Sequence, residues 1–210
     1  MNIPLLVLTL VLAYLLGSVA TAVWVGKIFH NIDVREHGSG NAGATNVIRV
    51  LGWGTGIPVL FLDMLKGWVA AMLPVFFNLA GEGSALLTNL QIVAGIAAVT
   101  GHVLPVFAGF RGGKGVATVC GVMLAIHPAV TLSCLVVFLL VLFISAYVSL
   151  ASMSAGVAFP VLLFSVFGTP SVVLKIFSVV VAAALLFTHR KNIKRLLRGE
   201  ESKFIRKGKS

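Results

Sequence analysis

Residues 129–148 read AVTLSCLVVFLLVLFISAYV, 20 consecutive positions without a charged side chain. At about 1.5 Å of rise per residue such a helix covers about 30 Å, the thickness of a bilayer's hydrocarbon core, so the run reads as a membrane-crossing helix. Comparable apolar runs occupy 4–26, 55–79, 88–108, 115–127, 152–167 and 170–188. Composition agrees. The chain is 59% hydrophobic and 10% charged, with a mean hydropathy of +1.06, whereas soluble domains carry about 25% charged residues. The expected fold is all-α, a polytopic integral membrane protein of about seven transmembrane helices. Segments 115–127 and 152–167 are short, and the first reaches only about 20 Å, so five or six full spans are the alternative.

Charge placement gives the orientation. With the N-terminus outside and spans alternating, the inner segments are 27–54, 109–114, 149–151 and 189–210. Lys27, Arg35, Arg49, Arg111, Lys114 and the nine Lys and Arg of 189–210 fall there, 14 of 16 in all; Lys66 and Lys175 lie inside spans. The positive-inside rule therefore favours an outside N-terminus and a cytoplasmic C-terminus. This distribution also accounts for most of the net charge of +10, which needs no nucleic acid partner; the basic tail suits anionic headgroups. Ala20-Thr21-Ala22 resembles a signal-peptide cleavage site, but no basic segment precedes the first apolar run and that run is too long. Cys120 and Cys134 sit unpaired in apolar runs and read as packing residues. No repeat or second soluble domain is evident. The chain reads as one membrane-embedded domain, 1–210, with cytoplasmic motif loops 27–54 and 109–115 and a cytoplasmic tail 189–210.

The inner loops are unusual. Residues 38–49, GSGNAGATNVIR, contain Gly38, Gly40 and Gly43 at the spacing of a dinucleotide fingerprint. A loop of about 28 residues between membrane helices cannot also hold the strand and helix of that βαβ unit, which needs about 30 or more residues. The local chemistry survives: glycines allow close backbone approach, Ser39, Asn41, Thr45 and Asn46 offer side-chain donors, and Arg49 a charged fork. Residues 101–118, GHVLPVFAGFRGGKGVAT, place Arg111 and Lys114 around Gly112 and Gly113, and Gly115 before a helix start whose amides and dipole favour an anion. Residues 189–203, HRKNIKRLLRGEESK, put His189, Asn192 and Arg195 on one helical face, while Ile193, Leu196 and Leu197 form an apolar stripe. An interfacial anchor explains the stripe but requires neither His189 nor Asn192. In the second span, Asp63 and Lys66 lie one turn apart, either a functional pair or a mutually neutralising one. Ser149 sits at the inner end of the fifth span. His102 and His127 lack metal-ligand spacing, and neither a metal nor a cofactor is expected. These loops converge on one inner surface suited to two phosphorylated ligands, one carrying a lipid chain.

The three stretches 38–49, 101–118 and 189–201 resemble, in order, spacing and chain length, the signature motifs of the bacterial acyl-phosphate:glycerol-3-phosphate acyltransferases, the PlsY family. The resemblance implies acyl transfer from a fatty acyl phosphate to the 1-hydroxyl of sn-glycerol 3-phosphate, giving 1-acylglycerol 3-phosphate (lysophosphatidate) and phosphate. This is the first acylation step of phospholipid synthesis. It implies the bacterial cytoplasmic (inner) membrane, an active site on the cytoplasmic side, membrane lipids as surroundings, and no cofactor or metal; oligomeric state stays open, a monomer included. Glycerol 3-phosphate is expected at Ser39, Arg49, Lys114, Ser149, His189 and Asn192, with Lys66 as a deeper cation. Acyl phosphate is expected at Gly40, Asn41, Thr45, Asn46, Arg111, Gly112, Gly113, Lys114 and Gly115. His189, Asn192 and Ser39 are the expected catalytic residues, and Glu201 matches an acidic position read as structural, pairing with the basic tail. The family often has lysine where this chain has Arg111, which alters phosphate geometry rather than charge.

An acyl phosphate is already activated, so positioning and oxyanion stabilisation carry most of the catalysis. His189 is either the general base or a holder of the acceptor phosphate, with a donor phosphate oxygen then taking the proton. No histidine in the chain has aspartate five positions on, so the His-x4-Asp motif of other glycerolipid acyltransferases is absent. The rival is an organophosphate transporter or exchanger, whose site would lie near the midplane between inverted repeats rather than at one face.

Overall fold

The computed structural model describes residues 2–204. Arg206, Lys207 and Lys209 of the expected 189–210 tail lie outside the described residues. Within that range all regular structure is helical, and the chain packs as two compact units, Met1–Pro128 and Ala129–Ser210.

In the first unit, α1 (Ile3–Ser18) starts where the Asn2 side chain accepts a hydrogen bond from the Leu5 amide at 3.2 Å, with Pro4 in the first turn. Asparagine as cap and proline in a position that needs no donor are favourable starts. The expected span 4–26 is not one straight helix. The chain bends by 44° at Val19 and Ala20 and continues as α2 (Thr21–His30). The expected loop 27–54 is correspondingly shorter: α2 runs four residues into it, and α3 (Ala44–Leu51) forms inside it. Long helices α4 (Trp53–Phe76) and α5 (Ala85–Val103) follow, then α6 (Val116–Ile126). Ser84 caps α5 by accepting from the Leu87 amide at 3.1 Å.

Glycine sets how closely these helices approach. A methyl group on Gly17 of α1 would strike the Ala98 carbonyl of α5, and one on Gly101 of α5 the Tyr14 carbonyl of α1. Gly67 of α4 and Gly121 of α6 meet the backbones of Thr118 and Met64 in the same way. Lipid is as apolar as the helices, so such membrane contacts rely on small residues and close van der Waals packing. Ala13, Ala70, Ala94 and Ala98 are wholly buried where α1, α4 and α5 pack together.

In the second unit, α7 (Pro128–Ser145) is followed by α8 (Val148–Leu162), which widens into a π turn over Leu163–Phe167, then α9 (Val172–Thr188) and α10 (Arg190–Leu197). The expected inner loop 149–151 is displaced. The Ser145 hydroxyl accepts from the Tyr147 amide at 3.1 Å and Ala146 turns left-handed, φ 60°. The break therefore falls at Ala146–Tyr147, and Ser149 stands buried in the first turn of α8. A 58° bend at His189 separates α9 from α10.

By length and composition, four helical segments can cross a bilayer alone: Trp53–Phe76, Ala85–Ala108, Pro128–Ser145 and Val148–Phe167. Counting each bent pair as one span gives six, with the 11 residues of α6 shorter. Only 11% of the apolar window of α7 is buried, against 50% for Ala85–Ala108, so α7 keeps an apolar exterior suited to lipid. The protein is a multi-pass helical membrane protein.

Candidate active site

The first loop is built from its own polar side chains. Asp33 opens a tight turn by accepting from the Arg35 amide at 3.0 Å, and the Arg35 guanidinium grips the same carboxylate with two bonds, Nε to Oδ1 at 2.9 Å and Nη2 to Oδ2 at 2.7 Å. Such forked pairs combine charge with fixed geometry. The Arg35 bond holds the Asp33 carboxyl well below the usual carboxylate range, against the opposing effect of burial. Arg35 has a third role. Its Nη1 donates to the Ala108 carbonyl at 2.8 Å and the Arg111 carbonyl at 3.3 Å, which stitches the first glycine loop to the second.

Asn46, expected at acyl phosphate, holds the loop together. Its Oδ1 accepts from the Ser39 amide at 2.8 Å and the Ser39 hydroxyl at 3.1 Å, while Nδ2 donates to Val34 O at 2.7 Å and His37 O at 3.1 Å. An amide with two donors and one two-fold acceptor is then saturated, and the side chain is 1% exposed. Gly38 and Gly40 adopt φ of 60° and 71°, where a β-carbon is strained, and one on Gly38 would also collide with Asn46 Oδ1. Ser39, Gly40 and Arg49 are exposed around this frame, with Asn41 and Thr45 half-buried.

The second loop folds back on the end of α5. The amides of Gly112 and Gly113 donate to Val103 O and His102 O, both at 3.2 Å. These two amides, expected to face an anion, are spent on the backbone. Both glycines are required for contact: a β-carbon on Gly112 would meet His102 O, and one on Gly113 would meet His102 Nε2 and, at 2.9 Å, the Ala42 carbonyl of the first loop. Gly115, φ 80°, precedes the first turn of α6. Arg111 is exposed and Lys114 half-buried. The two glycine stretches thus share one end of the first unit, and Ser39, Arg49 and Arg111 present polar groups there.

Beneath them lies a buried polar cluster. Lys66 Nζ pairs with Asp63 Oδ1 at 2.7 Å and donates to Val19 O at 2.8 Å, with side chains 8% and 2% exposed. Thr21 Oγ1 donates to Asp63 Oδ1 at 3.1 Å. His102 Nδ1 lies 3.0 Å from Thr118 Oγ1 and 3.8 Å from Asp63 Oδ1. Of the two readings of Asp63 and Lys66, the geometry is that of a mutually neutralising pair. Lys66, expected at glycerol 3-phosphate, is buried at this pair.

The second unit gathers its polar residues on one carboxylate. Glu201 Oε1 accepts from Ser149 Oγ at 2.8 Å and Asn192 Nδ2 at 2.6 Å, and Oε2 accepts from Arg195 Nε at 2.8 Å. Burial works against the Glu201 charge, but hydrogen bonds from Asn192 and Ser149 and the charge of Arg195 outweigh it and hold its pKa below the ordinary value. The Phe204 amide bonds Ala146 O at 2.7 Å, fastening the chain after Glu201 to the α7–α8 turn. Helical spacing had placed Asn192 and Arg195 together; it did not place Ser149 with them. His189, at the bend and 2% exposed, has Nδ1 at 2.8 Å from Leu185 O. A carbonyl only accepts, so Nδ1 carries the proton, and in the neutral ring Nε2 is the acceptor.

Sequence reasoning missed the bridging role of Arg35, the His102–Thr118 link and Ser149 on Glu201. A signal existed only for the first, an aspartate two residues before an arginine within a tight polar turn.

The chain matches the family model "Glycerol-3-phosphate acyltransferase" over residues 7–199. A glycerol-3-phosphate acyltransferase of Chlorobium phaeobacteroides strain BS1 is 44% identical, covering 94% of this chain and 96% of its own, and one of Chlorobaculum tepidum is 42% identical with 92% and 94% covered. Two crystal structures of PlsY, an integral membrane glycerol 3-phosphate acyltransferase, are similar at 42% identity. The glycerol 3-phosphate form has a TM-score of 0.85 and covers 95% of this chain and 96% of its own; the lysophosphatidic acid form has 0.81, with 94% of each.

Proposed function

The chain belongs to the glycerol-3-phosphate acyltransferase family, and from that premise we propose that it transfers a fatty acyl group from acyl phosphate to the 1-hydroxyl of sn-glycerol 3-phosphate. The products are lysophosphatidate and phosphate. The whole chain acts as one acyltransferase domain in the bacterial cytoplasmic membrane, with its loops on the cytoplasmic side and both polar products formed there. The observation that carries the reading is the joining of two glycine-rich, cationic loops at one end of the first unit by Arg35.

Acyl phosphate is assigned to that end: Gly40, Asn41 and Thr45 with Arg111, Lys114 and the first turn of α6 after Gly115, while Gly112, Gly113 and Asn46 shape the cradle from behind. Ser39 and Arg49 serve glycerol 3-phosphate. His189 and Asn192 serve the acceptor, and Ser149 and Glu201 orient Asn192. His189 either takes the proton of the attacking hydroxyl or holds the acceptor phosphate, in which case an oxygen of the donor's own phosphate takes that proton. The hydroxyl oxygen forms the new ester bond, the acyl–phosphate bond breaks, and the phosphate leaves as an anion stabilised by Arg111 and Lys114. Nothing in the Asp63–Lys66 pair favours a transport path, since each charge is closed on the other.

The test is purified protein in detergent with labelled glycerol 3-phosphate and either palmitoyl phosphate or palmitoyl-CoA, no metal added. Labelled lysophosphatidate from the acyl phosphate alone is the expected result. Product from palmitoyl-CoA would overturn the donor assignment, and no product from folded protein with either donor would overturn the reaction.

A further inference from the structure

His102 and Thr118 are absorbed by none of these roles. His102 ends α5, Thr118 lies in the first turn of α6, and the glycine loop 109–115 connects the two helices. Both are buried, Thr118 wholly and His102 at 6% exposure, and His102 Nδ1 lies 3.0 Å from Thr118 Oγ1. The ring's other edge faces the loop: Nε2 occupies the space a β-carbon on Gly113 would need. The backbone repeats the contact, because Gly113 N donates to His102 O at 3.2 Å. Behind the ring stands Asp63, itself held by Lys66 and Thr21, with Oδ1 3.8 Å from His102 Nδ1.

We propose that His102, held by Thr118 and backed by the Asp63–Lys66 pair, is a positioning residue for the acyl-phosphate cradle: it fixes the backbone of Gly112–Gly113 and hence the placement of Arg111, Lys114 and the first turn of α6. The proposal rests on the donor assignment of the preceding subsection. The physical case is that a glycine pair has no side chains with which to hold its own conformation and is the most costly kind of segment to order. A rigid ring from the neighbouring helix supplies that order. Displacements of about 1 Å at a reacting group change rates by about a hundredfold, so the wall behind the loop matters although it touches no substrate.

The experiment measures KM for palmitoyl phosphate and for glycerol 3-phosphate separately, with kcat, in Thr118→Val, Thr118→Ser, His102→Asn and Gly113→Ala. Valine keeps the shape of threonine and removes only the hydroxyl; serine keeps the hydroxyl. The expected result is a donor KM raised about three- to tenfold in Thr118→Val with the acceptor KM within twofold of wild type, and recovery in Thr118→Ser, the size of one buried hydrogen bond. His102→Asn, whose amide can still reach Thr118 but leaves the space beside Gly113 empty, gives the same split and carries the test should Thr118→Val not fold. Both KM values rising together, or only thermal stability falling, overturns the positioning role. Failure of the donor assignment is distinct: it appears as an unchanged donor KM in Gly113→Ala, whereas a raised one there with none in Thr118→Val and His102→Asn rejects only this proposal.

Discussion

The two units hold their polar residues by opposite means. In the first, backbone does much of the holding: glycines let loops lie against carbonyls of α5, and Asn46 and Arg35 each donate to two main-chain carbonyls. In the second, one carboxylate, Glu201, gathers Ser149, Asn192 and Arg195 from two helices. The difference teaches where damage should spread. A backbone-built loop distributes its support and yields by degrees, whereas a hub loses several partners at once.

The largest test is in the second unit. His189→Gln removes the imidazole, and a general-base role predicts kcat lower by about 10²- to 10⁴-fold in single-turnover measurements. Near-normal kcat with a raised acceptor KM would reduce His189 to a phosphate holder. Next is the buried pair of the first unit. Asp63→Asn strands the Lys66 ammonium, which costs about 3–5 kcal/mol, seen as a lower unfolding temperature in detergent; Asp63→Asn with Lys66→Met should recover much of it. If the single change is harmless, the cluster does not underpin the glycine loops.

Glu201→Gln sharpens the comparison directly. It keeps the shape and loses the charge that Arg195 needs, so activity should fall about tenfold, with thiol labelling at a cysteine placed at Lys203 reporting release of the tail. Arg35→Lys keeps the charge but cannot make the forked bond together with both carbonyl contacts; a donor KM raised by about three- to tenfold is expected. A loss as large as that in Glu201→Gln would show the first loop to be hub-like after all. The smallest effect is acid lability. Asp33 and Glu201 have depressed folded-state pKa values, so their stabilising contributions are complete above the ordinary carboxylate range and disappear as pH falls through and below it. Unfolding temperature should therefore be flat near neutrality and drop on acidification, less steeply in Asp33→Asn.

Much of this was legible beforehand because hydrophobic runs and the three motif stretches are local. Each apolar run became helical, and the spacing of Asn192 and Arg195 put both on Glu201. What was not legible depends on contacts between distant segments. The break after Ser145, which moved Ser149 into a helix, rests on a single hydroxyl capturing an amide. Gly112 and Gly113 read as anion donors because free glycine amides usually are, yet here α5 supplies carbonyls first. Arg35 looked like one more inward-facing positive charge because Ala108 and Arg111 are more than 70 positions away in sequence.

The bend between α1 and α2 carries a consequence for biogenesis. Its Val19 carbonyl and Thr21 hydroxyl are bonded to Lys66 and Asp63, more than 40 residues later. A chain that enters the bilayer from its N-terminus presents the bend before those partners have been synthesised. The opening segment therefore gains these bonds only once α4 lies beside it.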